Sequence, residues 1–531
     1  MRAEDRERAV VELTARMAAE AESAAQSGQG PSLEELLGDA LYLERRRLEG
    51  NPYPKTRRQD RAFWERIRKE LLHASEDDLR EMVRRVVEHH AREIVGRFDP
   101  RVYALATRAV PLGLSVLLNA LSPKALLREL PGLPDATQSV VLEGEVEAAR
   151  RIQDKGTVIL VPTHSSNLDS IIIGWSLYRA GLPPFTYGAG INLFTNPMIS
   201  FFMHNLGAYK VDRMKRHQLY LDTLKQYCNL SIEYGYDNLF FPGGTRSRSG
   251  GVEQKLKLGL LGCGLKAYLN NLKAGKSGGK IFVVPCTLNY HLVLEGETLI
   301  EDHLKEVGKS RYIIVDDEFS KPRRVAAFMA GLVGLDSRIY VRFSRPLDPF
   351  GNLVDEDGIS RDQRGRPVDT TAYLRGGDGE IVDDPQRDEE YTRELGRSVS
   401  ESYLRDNVIC STHLLSFAIF REMVAQNRSL GLYRLLRTGG ATQSLALSSV
   451  RERIDRLAAA LGRLQGKGRI SLSAPLVGAD AAQVLAEGLK YFGTYHTHPV
   501  AERRGDRLFP TDRNLLFYYH NRLAGYGLEE V

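Results

Sequence analysis

The run Val158-Ile159-Leu160-Val161-Pro162-Thr163-His164-Ser165-Ser166-Asn167-Leu168-Asp169 constrains the rest of the chain more than any other stretch. Its first four residues are apolar and mostly β-branched, and a proline closes the run, which reads as a buried strand. Asp169 opens an apolar segment reaching residue 178 that reads as a helix, so 163–168 is the turn joining the two. Turns at strand ends are where a rigid scaffold presents chemistry to a substrate. A carboxylate in the first helical turn can reach back to the His164 imidazole, fix its tautomer and stabilise the imidazolium. Taken alone, the pair fits a surface histidine beside a dipole-favoured aspartate at least as well. The downstream segments weigh against that simpler reading.

From about 145 to 350, strand-like segments (158–161, 184–187, 208–211, 238–241, 281–286 and 338–343) alternate with helical ones (170–180, 197–205, 215–234 and 256–272). Such alternation predicts an α/β fold, a mainly parallel sheet flanked by helices. The expected division is a helical N-terminal region over 1–135, an α/β domain over 136–350, a charged insertion or linker over 351–397, and a helical region over 398–531. In the first region, Ser32 with Glu35 forms a capping-box pattern, and Ser75 opens a helix whose apolar residues recur on one face. His89 and His90 in that helix are adjacent, a spacing that argues against a shared metal. Residues 112–130 carry a run of leucines beside Lys124 and Arg128, either a helical pair packed on the next domain or an apolar wedge for a bilayer interface. Residues 351–397, rich in Gly, Asp and Arg, are expected to be partly disordered. Apolar segments at 414–420 and 514–519 are expected to be buried helices.

Three further segments converge with the first. Arg213 ends a short strand, Arg246 and Arg248 lie in the Gly-rich loop after 238–241, and Val284-Pro285 interrupts another strand. Strand ends on one edge of an α/β sheet line a common crevice. Guanidinium groups there, with exposed glycine amides, suit a phosphate. The net charge of +5 over 531 residues gives no reason to expect bulk nucleic-acid binding but suits an anionic lipid surface. Four widely spaced cysteines without CxxC spacing predict reduced thiols. The charged opening does not read as a signal peptide, and no uncharged apolar run has the length of a spanning helix.

Here the sequence resembles the glycerolipid acyltransferases, and more closely their glycerol-3-phosphate branch. That family carries four blocks in order: H-x4-D, G-A-x-x-x-x-R, F-x-E-G-x-R-S and a strand with V-P. The matching residues here are His164 to Asp169, Gly207 to Arg213, Phe241 to Ser247, and Val284-Pro285. The segments 189–193 and 246–250 also look like the glycerol-3-phosphate branch. The resemblance implies a glycerolipid acyltransferase-like mixed sheet and an O-acyltransferase without cofactor or metal. The donor it implies is an acyl-CoA or acyl-carrier-protein thioester, the acceptor the hydroxyl of glycerol 3-phosphate, and the product lysophosphatidate for phospholipid biosynthesis. It also implies a peripheral or monotopic protein on the cytoplasmic face of the membrane, with acyl carrier protein as a candidate partner.

Carried over residue by residue, His164 is the general base and Asp169 its orienting carboxylate. Arg213, Gly244, Arg246, Ser247, Arg248 and Lys257 fall to substrate binding. One departure stands out: the third block has Gly243 where the family has glutamate, and Glu253 is the nearest acid that could stand in for it. The alternatives left open are acylation of lysophosphatidate or dihydroxyacetone phosphate, and an inactive lipid-binding paralogue. Gly275-Lys276-Ser277 echoes a P-loop, but Asn270 replaces its first glycine and a strand follows. His496-Thr497-His498 reads as a polar loop.

Overall fold

The computed structural model describes residues 1–28, 30–50, 54–107, 139–194, 197–276, 278–307, 338–440, 443–493, 496 and 498–531. Among them, seven strands form the main sheet in the order β1-β7-β6-β2-β5-β3-β4. These are β1 (Val140–Gly144), β2 (Thr157–Pro162), β3 (Thr186–Gly190), β4 (Ala208–Val211), β5 (Asn238–Leu239), β6 (Ile281–Tyr290) and β7 (Ile339–Phe343). All neighbours are parallel except β6 and β7, so the sheet is mixed and mainly parallel. Both central strands, β2 and β6, are buried at every position, which is why their sequences are apolar without alternation. The 208–211 strand falls where the sequence predicts it; the 184–187 strand slides to Thr186–Gly190, and β1 was not foreseen.

Register explains how β6 serves the site. It pairs with β2 from Thr157↔Ile281 to Pro162↔Cys286 and then runs four residues further. Pro285 costs no bond to β2, because residues 283 and 285 turn their polar groups to the other side: Val283 N–H donates to the Leu347 carbonyl at 2.7 Å, and the Pro285 carbonyl accepts from Ser344 N–H at 2.9 Å. The overhang 287–290 stands beside the turn that follows β2.

The N-terminal region is helical as expected: α1 (Ala3–Gln26), α2 (Leu33–Gly50), α3 (Pro54–Leu71) and α4 (Glu76–Ile94). The expected Ser32–Glu35 capping box forms, and Ser75, which opens α4 as expected, makes a second one with Asp78. The apolar face of α4, including Met82, Val83, Val86 and Val87, packs in a cluster with Tyr209 of β4 and Tyr220 and Tyr227. Buried ions sit at this joint. Arg47 holds Glu44 at 2.6 Å, pairs with Asp60, and lies 3.6 Å from Asp212, next to Arg213. His89, His90 and Glu93 bring one ligand atom each within 4.8 Å, contrary to the divergence expected of adjacent helix positions. The buried Lys215 ammonium holds Glu93, so the group has a cation of its own. The leucine-rich stretch from 108 onward lies outside the described residues.

Residues 351–384 are ordered, in contrast to the expected disorder. A string of aspartates builds turns: Asp355 Oδ1 accepts from the Asp357 and Ile359 amides, Asp362 Oδ1 from Arg364 and Arg366, and Asp378 Oδ1 from Glu380. Such Asx turns hold a chain that has little apolar surface to bury. Asp384 then caps a helix over Pro385–Arg405, within the stretch read as linker. The C-terminal region is helical around Ser411–Gln426 and Arg513–His520, both buried as expected. It also contains short strands that the sequence did not reveal, Leu445–Ala446 with Arg507–Pro510 and Ala501–Arg504, and Val408–Ile409 with Ser471–Leu472. Its core is continuous with that of the main sheet.

Candidate active site

The turn after β2 places His164 at the edge of the sheet where β2, β4 and β5 end, so the strand-end segments named in the sequence do converge. Asp169 is the first residue of the helix Asp169–Arg179, and its side chain is fully buried. His164 Nδ1 lies 2.8 Å from Asp169 Oδ2. The same oxygen accepts from the amides of Ser165 at 2.6 Å and Ser166 at 2.9 Å. The Tyr290 hydroxyl, at the end of the β6 overhang, donates to Asp169 Oδ1. A carboxylate gripped by backbone amides and a phenol holds the ring in one tautomer, with the proton on Nδ1. Nε2 is then the basic atom, and it has no partner among the described residues. The ring stacks on Phe241, centroids 4.1 Å apart, and keeps 12% of its side-chain surface exposed. The surface-histidine reading therefore fails.

The Gly-rich loop after β5 folds against this turn. Ser247 N–H donates to the His164 carbonyl at 2.7 Å, and the Ser247 hydroxyl closes the loop on the Gly251 carbonyl at 2.8 Å. Gly244 adopts φ +75°, and the Lys257 side-chain stem lies over it: a Cβ at 244 would sit 2.9 Å from Lys257 Cγ. Lys257 N–H donates to the Pro242 carbonyl at 2.6 Å, and the residue itself is exposed. Gly250, φ +79°, meets the C-terminal region: a Cβ there would lie 2.2 Å from the Tyr518 carbonyl oxygen. Asn521 Nδ2 donates to the Ser249 carbonyl at 2.9 Å. The C-terminal helix thus backs the arginine loop.

Arg213, Arg246 and Arg248 come together. The Arg213 side chain reaches the surface, yet crowding by neighbouring atoms, then repulsion from Arg246 and Arg248, lowers its pKa. Mutually repelling guanidinium groups at a sheet edge have the chemistry to attract an anion. Arg248 is paired with the exposed Glu306 at 2.8 Å, and Arg246 Nη1 lies 3.4 Å from Glu295 Oε1.

Glu295 and Tyr290 are residues that sequence reasoning did not place in the site, whereas Glu253 was named there as the nearest acid to Gly243. Glu295 is fully buried and accepts from the Ser166 hydroxyl at 2.8 Å and the Asn167 amide at 3.0 Å. The only signal was position, since Tyr290 ends the Val284-Pro285 strand and Glu295 follows it. Burial first, then the charge of Asp169, drives the Tyr290 hydroxyl pKa well up, so it remains a donor. His496 lies in a bend, as a loop reading has it, but its side chain is not solvated. Its side chain is buried, its Nε2 lies 2.8 Å from the Tyr519 hydroxyl, and desolvation brings its pKa down to about 4. Lys276 of the P-loop echo donates to the Glu233 carbonyl at a helix end.

Residues 143–289, which contain the dyad, Arg213 and the arginine loop, match the Acyltransferase family model. The chain carries an acyltransferase domain. Glycerol-3-phosphate acyltransferase of Pseudomonas syringae pv. tomato is 31% identical over 202 residues, covering 35% of this chain and 23% of that protein. The enzyme of the same name from Pseudomonas putida is 26% identical, covering 55% of this chain and 32% of that one. That of Pseudomonas fluorescens is 30% identical, covering 52% and 29%. The chain thus spans between 23% and 32% of the length of these relatives. Among solved structures, the 1-acyl-sn-glycerophosphate (LPA) acyltransferase PlsC from Thermotoga maritima is 15% identical, with a TM-score of 0.25, covering 56% of this chain and 92% of that one.

Proposed function

We propose that this protein transfers a fatty acyl group from a thioester to the hydroxyl of glycerol 3-phosphate, giving lysophosphatidate. The observation that carries the reading is the His164–Asp169 dyad facing the same sheet edge as Arg213, Arg246 and Arg248. A base alone suits many reactions. A base beside a cluster of guanidinium groups suits a hydroxyl tethered to a phosphate.

A thioester is already activated, so the reaction proceeds by direct attack without an enzyme nucleophile. His164 Nε2 takes the proton of the acceptor hydroxyl as its oxygen bonds to the thioester carbonyl carbon. Asp169 stabilises the imidazolium so formed, and Tyr290 and the Ser165 and Ser166 amides keep Asp169 in place. The tetrahedral adduct collapses, the C–S bond breaks, and the thiolate takes the proton from His164. The arginines hold the phosphate so that the hydroxyl stays near Nε2, and positioning of this sort lowers a barrier by at most about 7–11 kcal/mol. No helix among the described residues is long and apolar enough to cross a membrane. A peripheral seat on an anionic lipid surface would give the enzyme access to an acyl chain and a place to release its product.

The test is thiol release from palmitoyl-coenzyme A, and from an acyl-carrier-protein thioester, with detergent or lipid present. Glycerol 3-phosphate, dihydroxyacetone phosphate and lysophosphatidate are supplied in parallel, with His164→Ala as control. His164-dependent release with glycerol 3-phosphate supports the proposal. Release only with another acceptor changes the substrate, and silence with all three overturns the enzymatic reading.

A further inference from the structure

The His164 residue is held at both ends of its backbone by one loop. Its carbonyl accepts from Ser247 N–H at 2.7 Å, and its N–H donates to Glu253 Oε1 at 3.0 Å. Ser247 and Glu253 bracket the loop that also carries Arg248, with Arg246 just before it. The Glu253 carboxyl reaches His164 by crossing directly over Gly243. A Cβ added to Gly243 would stand 2.8 Å from the Glu253 carboxyl carbon and Oε1, and 2.9 Å from Oε2. Real Cβ atoms do not approach other atoms so closely, so the carboxyl occupies space that only glycine leaves open. Although Glu253 as a residue is partly accessible, its Oε2 is shut off from solvent and has no hydrogen-bond partner among the described residues.

From this geometry we infer that Glu253 is a positioning residue for His164, and that Gly243 is glycine because the Glu253 carboxyl must pass over it. This inference rests on the acyl-transfer reading for its consequence in catalysis, but not for the geometry itself. The carboxyl locks the base-bearing turn to the arginine loop, so the distance between proton acceptor and phosphate site is set by one side chain. It acts through the His164 backbone and does not touch the reacting atoms.

The surroundings decide its charge. Desolvation pushes the Glu253 carboxyl up to about 8; the His164 amide and Arg522 pull the other way, and Asp169 adds to the rise. The charged or titratable groups around it are Asp169 on the helix Asp169–Arg179, Arg522 in the C-terminal turn, and the buried Tyr403 on the helix Pro385–Arg405. Neutral Glu253 still accepts through its carbonyl oxygen, so glutamine, an isostere of the protonated acid, keeps the tether. Between the ordinary carboxyl value of 4.5 and about 8 the unfolded chain has released this proton while the folded chain retains it. Stability therefore falls with rising pH across that window and is flat on either side of it.

Four variants of the full chain test this: Glu253→Ala, Glu253→Gln, Gly243→Ala, and the double Gly243→Ala/Glu253→Ala. Glu253→Ala is expected to lower kcat about tenfold or more, since a misplaced base is costly. Glu253→Gln keeps activity within a few-fold at pH 7. Gly243→Ala displaces the carboxyl and loses as much as Glu253→Ala, while the double variant loses no more than either, because both changes break the same tether. Additive losses, or a silent Gly243→Ala, overturn the proposal. The second readout needs no activity. The melting temperature of Glu253→Gln minus that of the wild type should widen as pH rises from 4.5 to 8 and then level off. A difference that does not change with pH refutes the buried neutral carboxyl. Absence of acyl transfer in the wild type would count against the proposed function, and the melting series would still test Glu253.

Discussion

Glu295 Oε1 lies 3.4 Å from Arg246 Nη1, and the same carboxylate holds the Ser166 hydroxyl and the Asn167 amide of the histidine turn. One fully buried acid thus joins the histidine turn to the arginine loop. Removing it leaves buried donors without acceptors, which costs about 1–3 kcal/mol per group. Glu295→Ala is expected to lower the melting temperature, and Glu295→Gln to spare the fold while raising the acceptor KM several-fold. An unchanged acceptor KM in Glu295→Gln would separate Arg246 from the acceptor.

The dyad makes the largest claim on rate. His164→Ala should reduce kcat by about 10²–10⁴-fold with the fold intact by circular dichroism, the range expected for general-base catalysis. Asp169→Asn should be comparably severe. Its amide would set a donor against groups that all donate to the native carboxylate: the His164 ring, two backbone amides and Tyr290. Activity retained in His164→Ala would remove the histidine from the mechanism.

Tyr290→Phe deletes one donor to Asp169 without changing shape. The remaining three donors keep the carboxylate in place, so the expected loss is about 0.5–1.5 kcal/mol of stability, or more if the charged acceptor dominates. A kcat reduced by less than that of Asp169→Asn, at unchanged acceptor KM, would show Tyr290 working through Asp169. A shift in acceptor KM instead would place the phenol on substrate.

The arginines should separate the two substrates kinetically. Arg213→Ala and Arg246→Ala are each expected to raise the acceptor KM at least tenfold with little change in the thioester KM, since a charge-assisted contact contributes about 1.5–3 kcal/mol. Arg248→Ala should do less, because its guanidinium is already engaged by Glu306. A change confined to the thioester KM would assign these residues to the donor.

What could be read locally was read well. The β-branched run before His164 reads as a buried strand from its unbroken apolar character and closing proline, and an aspartate five positions on suits the first turn of a helix through the dipole. Glycines and arginines at 243–250 mark a loop for the same kind of reason. Where composition was used in place of mechanism, the reading failed. Residues 351–384 have little apolar surface, but their aspartates satisfy the backbone turn by turn, which a count of hydrophobic residues does not register. Strands of two to four residues after 405 are too short to show a period.

The chain by itself therefore determined the strand–turn–helix that bears His164 and Asp169, the loop of arginines, and the alternation of strands and helices from which a mainly parallel sheet follows; the order of the strands came from the structure. Only the tertiary structure decided that Glu253 lies over Gly243, that Tyr290 reaches Asp169 on an overhanging strand, and that Glu295 ties Ser166 to Arg246. Local propensity acts over a few residues and leaves its period in the sequence. These contacts join residues 10 to 130 positions apart, and their distances are set by sheet register and core packing, which no local pattern encodes.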